Sequence, residues 1–313
     1  MNKEIYIASC EKDGGIYRYI LKENGSLEKV DYTPMNMPMY MAKHNDKMYV
    51  ILKGDNQNGE ESGFVVYDIK NSRLENPTEV ISTKGLVACH LSVDDDGVYV
   101  ANYVSGSVIK MPDKLVEHSG KGASMPRQET PHAHFAGFTP DNKYVLVADL
   151  GLDTIFVYNK DLEFVNSFKV PQGHGARHIV FSEDGKYLFV VNELASTVSC
   201  FKYSDAKIEY LNTISCVEEW AEGKWASAIR YSNEKVYVAN RGDNTIAVFK
   251  HSEDSLKIEG IYPCGGDWPR DMDIFGDFII VCNERENNVT VIDKATFEIV
   301  HIENLKTPLC VIS

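Results

Sequence analysis

The chain has 313 residues, 43% hydrophobic and 25% charged, a globular composition that excludes a disordered or collagen-like protein. Lys and Arg number 32 against 46 Asp and Glu, and the resulting charge of −14 repels phosphate backbones and anionic lipid, so neither nucleic acid nor membrane is an expected partner. No window reaches the roughly 20 apolar residues of a membrane helix. Seven widely spaced cysteines without a Cys-x-x-Cys give no disulfide framework and no zinc site, and read as reduced thiols of a cytoplasmic protein.

In chain order, a short apolar run ending in a small polar residue begins at 5–9. It returns at 98–102, 145–149, 188–192, 236–240 and 279–283, and without the polar stop at 48–52, at spacings between 43 and 50 residues. A second alternating run follows, as at 107–111, 154–158, 197–201, 245–249 and 288–292. Another strand precedes, as at 90–93, 134–138, 178–181, 228–231 and 271–274, followed by turn residues such as Asp184-Gly185. With an outer strand added, each unit is a four-stranded antiparallel sheet, and repetition at this period predicts an all-β, seven-bladed propeller occupying 1–313 as a single domain. The ends complement each other: 308–313 has the form of an inner strand with nothing after it, while Met1 to Cys10 begins at a second strand. Pairing the two closes the ring and leaves no open sheet edge.

The repeat also isolates its own exceptions. One position at the start of the inner strand holds Cys89, His134, Arg177, Ser227, Arg270 and Pro308; another, just after the second strand, holds Tyr103, Leu150, Glu193, Arg241 and Glu284. Inner and second strands form a hairpin, so both positions fall at one mouth of the central channel. Convergence of His134, Arg177, Glu193 and Arg241 there marks a candidate catalytic site. His132, His178, Asn192 and Arg270 accompany them as substrate-binding positions, although strand-end asparagines can also simply bond backbone. The histidines fix no ligand geometry, so no metal and no cofactor is expected.

The series Arg127-Gln128-Glu129-Thr130-Pro131-His132-Ala133-His134, Thr139-Pro140-Asp141, Ala148-Asp149-Leu150-Gly151, Gly175-Ala176-Arg177-His178, Val191-Asn192-Glu193-Leu194, Ala239-Asn240-Arg241 and Trp268-Pro269-Arg270 resembles the bacterial β-propeller lactonase family of 6-phosphogluconolactonase type, itself similar to carboxy-cis,cis-muconate cyclase. The resemblance covers the whole chain. It implies the same fold and, carried over from the cyclase, a catalytic quartet on His134, Arg177, Glu193 and Arg241. The expected activity is hydrolysis of a small lactone, 6-phosphogluconolactone foremost, by a monomer or weak homo-oligomer. Arg177 and Arg241 would bind the oxyanion and the substrate's carboxylate or phosphate, and His134 would act as base because an imidazole pKa near 6.5 suits neutral pH. A lactone-forming cyclase and a non-catalytic binding propeller are the alternatives.

Overall fold

Alternating apolar residues and polar two- to four-residue turns produce hairpins throughout the chain, of which residues 2–54 and 58–313 are described in this computed structural model; Met1 lies outside the described residues. The Asp184-Gly185 turn shows the local logic. Gly185 takes φ +69°, and the Asp184 carboxylate accepts from the Ser182 hydroxyl at 2.7 Å and the Lys186 amide at 3.1 Å, which fixes the reversal between Ala176–Phe181 and Tyr187–Asn192.

Seven antiparallel sheets result among the described residues. Their inner strands are Pro38–His44, Ala88–Asp94, Ala133–Phe138, Ala176–Phe181, Trp225–Ser232, Pro269–Phe275 and Pro308–Ile312, and the blades are numbered here in that order. In the first blade the outer strand is split into Arg73–Glu75 and Ile81–Ser82, both paired with Gly63–Lys70, because Asn76 in a left-handed conformation and Pro77 interrupt the ladder. The seventh blade joins the two ends of the chain: Ser9 pairs with Pro308, Ala8 with Cys310, Ile7 with Val311 and Tyr6 with Ile312. The closure expected from the sequence is present.

Apolar faces of neighbouring blades pack against each other. Leu146, Val157, Ile179, Leu188 and Phe201 form one such layer between the third and fourth blades, each almost wholly buried. At about 1.5–3 kcal/mol per buried aliphatic or aromatic side chain, these layers hold the ring. All seven cysteines are buried and unpaired. No helix among the described residues is long and apolar enough to cross a membrane.

Candidate active site at the channel mouth

Each inner strand carries one extra residue at its channel end. The registers skip Met39, Cys89, His134, Arg177, Arg270 and Leu309, and in the fifth blade Ser227 and Ala228 together face Ala239. A bulged residue has no cross-strand partner and its side chain is re-aimed. The seventh-blade occupant of this position is Leu309, not Pro308: Pro308 pairs with Ser9, and the bulge shifts the correspondence by one residue. Met39 is the first-blade occupant.

His134, Arg177, Glu193 and Arg241 do converge, with Glu193 at the centre. Its Oε2 lies 2.7 Å from Arg241 Nη2, 3.1 Å from Arg177 Nε and 3.9 Å from His134 Nε2. A fifth residue completes the cluster. Arg127, on the connection between the second and third blades, donates from Nη2 to Glu193 Oε1 at 2.7 Å and to the Tyr103 hydroxyl at 3.2 Å. Sequence reasoning recorded Arg127 as part of a motif without giving it a role, because it belongs to no repeat position.

Burial alone would raise the Glu193 carboxyl, but the guanidiniums of Arg241, Arg177 and Arg127 hold it well below the usual carboxylate range. His134 is pushed the other way from what a pKa near 6.5 supposes: burial and then the charge of Arg177 hold it well below that value, so the ring is neutral at neutral pH. Arg177 is lowered by burial and by its neighbours Arg270 and Arg241, an indication that positive charge at this mouth exceeds what Glu193 neutralises. Arg241 is occupied as well: Nη2 also donates to the Ala226 carbonyl at 3.1 Å, and its guanidinium lies 5.8 Å from the Trp225 ring and 5.6 Å from the Trp268 ring. It holds the carboxylate rather than facing solvent.

The other four expected positions separate. His132 is half-buried on the rim, stacked on Tyr103 at 4.4 Å with Nδ1 3.0 Å from the Tyr103 carbonyl. Arg270 lines a recess of about 20 Å³ together with Arg177, Cys89, Tyr40, His178 and Asp271, and no acceptor is bonded to its guanidinium among the described residues. His178 sits lower in the channel, against His90 at 5.2 Å and His134 at 5.3 Å; burial holds its pKa well down. Asn192 does not reach the mouth: it is fully buried and its amide donates to Thr197 and Ser199, both at 2.9 Å, as a brace within its own blade. Among the described residues no three His, Cys, Asp or Glu side chains are grouped to hold a metal ion. A cleft bordered by Lys186, Tyr187, Lys202 and Lys207 lies on the fourth blade away from this cluster, and its lysines are solvent-accessible.

A family model described as "Lactonase, 7-bladed beta-propeller" matches residues 4–312. The chain belongs to this lactonase family. A Staphylococcus aureus relative, an uncharacterized protein, is 33% identical over 93% of this chain and 92% of its own. Among solved structures, a Lactobacillus plantarum protein superposes on this lactonase-family chain with a TM-score of 0.88 at 28% identity, covering 99% of both chains. The periplasmic gluconolactonase of Pseudomonas aeruginosa superposes with a TM-score of 0.87 at 20% identity, over 100% of this chain and 99% of its own, and shows the shared fold.

Proposed function

We propose that this lactonase-family protein hydrolyses a sugar-acid lactone at the channel mouth, with 6-phosphogluconolactone as the preferred substrate. The observation that supports this reading best is the recess between Arg177 and Arg270. At about 20 Å³ it has room for one oxygen-sized group. A lactone carbonyl oxygen placed there accepts from guanidiniums, and the negative charge that develops on it is stabilised by donors already in position. Attack by water forms the tetrahedral intermediate while the water proton passes to His134 Nε2. Glu193, 3.9 Å away and ionised, stabilises the imidazolium. Collapse breaks the bond to the ring oxygen, which takes that proton and leaves as a hydroxyl, so one water is consumed and one hydroxy acid is formed.

In this scheme Arg241 holds Glu193, and the oxyanion falls to Arg177 and Arg270. Excess guanidinium charge favours a lactone that carries a phosphate, and the gluconolactonase of Pseudomonas, similar in fold, favours a sugar-acid ring. The unpaired cysteines fit a reducing compartment, hence the cytoplasm; recovery from a periplasmic fraction would reverse that assignment. The test is hydrolysis of 6-phosphogluconolactone, gluconolactone and neutral lactones beside Arg270→Ala and His134→Ala, with spontaneous opening subtracted. Turnover of the phosphorylated lactone that falls in both variants supports the reading. No acceleration of any lactone would leave a binding propeller, and ring closure of an unsaturated diacid would point to the cyclase reaction.

A further inference from the structure

Three guanidiniums hold Glu193, and they differ in access to solvent. The Arg177 and Arg241 side chains are 4% and 3% exposed; that of Arg127 is 33% exposed. Arg127 also uses the oxygen the others leave alone. Arg241 and Arg177 meet Oε2, whereas Arg127 alone among the described residues donates to Oε1. Its guanidinium lies 5.0 Å from the centre of the Trp225 ring, an apolar surface over which a planar cation can shift without losing its contact.

The backbone beneath it is fixed by the next residue. Gln128 is fully buried; its amide donates to the Leu150 carbonyl at 2.7 Å and to Asp153 at 2.8 Å, and its oxygen accepts from the Ala123 and Ser124 amides. Asp153 in turn accepts from the Gly173 and Gly175 amides, both at 2.7 Å, just ahead of Arg177. A side chain with an accessible head on an immobile base can trade partners by rotation alone.

We propose that Arg127 is the specificity-determining residue of the site: it recognises an oxyanion of the ligand, carboxylate or phosphate, by exchanging Glu193 Oε1 for it. This inference rests on the lactonase reading for the ligand's identity, not for the exchange itself. An incoming carboxylate or phosphate offers anionic acceptor oxygens in place of the one it displaces, so the guanidinium keeps a charge-assisted pair after the exchange. Glu193 retains Arg177 and Arg241 and gains one oxygen free to accept from substrate hydroxyl or water. A neutral lactone triggers no exchange.

The test uses the full chain and three probes, 6-phosphogluconate, gluconate and inorganic phosphate, titrated calorimetrically into wild type, Arg127→Ala and Arg127→Lys, with melting temperature as the folding control. Loss of one charge-assisted pair predicts that 6-phosphogluconate binding falls roughly 10- to 100-fold in Arg127→Ala and is partly restored in Arg127→Lys. The gluconate and phosphate arms separate the sources: loss confined to gluconate assigns a carboxylate, loss including inorganic phosphate assigns the phosphoryl group. If lactones are turned over, KM for the phosphorylated lactone rises while that for a neutral lactone stays. The acid limb of the rate profile then moves to higher pH, because Glu193 has lost a positive neighbour. Wild-type affinities in Arg127→Ala, or an equal loss for charged and neutral ligands, would overturn the proposal. A protein that binds these anions through Arg127 yet accelerates no lactone would retain the exchange and refute only the lactonase reading.

Discussion

Replacing Glu193 by Gln keeps the volume and removes the one negative charge shared by Arg127, Arg177 and Arg241. The side chain is 4% exposed, so solvent cannot compensate for the missing charge. Breaking a buried pair by deleting one partner costs about 3–5 kcal/mol, a large share of the roughly 5–15 kcal/mol that holds a typical domain together. The variant should unfold at lower urea and melt on the order of 10 °C earlier at pH 7. The sign with pH follows from linkage. The folded Glu193 pKa lies below its unfolded value of about 4.3, so its contribution is complete above that pH and is lost as pH falls through the folded pKa. Wild type and Glu193→Gln should therefore differ by a constant amount above about pH 5.5 and converge in acid. Phosphate should stabilise the variant more than wild type by supplying the missing charge. A variant within about 0.5 kcal/mol of wild type at pH 7 would show that the guanidiniums do not depend on Glu193, and the site described above would lose its centre.

Three further outcomes are expected. His134→Ala should lower kcat about 10²- to 10⁴-fold, and because the His134 pKa lies well below 6.5 the wild-type rate should show no inflection from it between pH 6 and 8; such an inflection abolished by the substitution would contradict the burial argument. Deleting residues 307–313 removes Leu309, Cys310 and Val311 from the core and leaves Tyr6–Ser9 without their partners on the inner side, so at about 1.5–3 kcal/mol for each large apolar side chain the ring should open and associate through its bare edge, visible by size-exclusion chromatography. None of the seven thiols should react with a thiol reagent in the native state, since each is buried and burial pushes thiols such as Cys10 up to about 11; fast labelling of even one would indicate local opening.

The ring was legible in the sequence because the second strands repeat an apolar run that ends, in all but the first blade, on a small polar residue, and Ser9 beside Pro308 shows that even the closure followed from pattern. The bulges were not. One unpaired residue leaves no trace in alternation, which is why counting back from Ile312 selected Pro308 while the structure puts Leu309 in the channel. Arg127 lay beyond reach for a different reason: it sits in a long irregular connection, and only tertiary packing brings it 66 residues along the chain to Glu193. The place of His134 beside Glu193 could be inferred from its repeat position, but its ionisation could not, because burial, which holds its pKa well below 6.5, is a property of the folded channel. Asn192 and Glu193 are neighbours in sequence, yet the strand end sends one side chain into the blade and the other into the mouth.

The skipped register has a consequence for how such a mouth can change. A residue held in a ladder is constrained by the neighbour opposite it, and replacing it disturbs two strands together. The bulged residues Met39, Cys89, His134, Arg177, Arg270 and Leu309 have no such neighbour opposite, so a substitution there is limited by packing within the channel, as at the buried Cys89 and Leu309, rather than by the ladder. The scaffold thus separates the strand pairing that must be preserved from the channel contacts that can be varied, and a library confined to these few positions would test which new channel chemistry the ring tolerates.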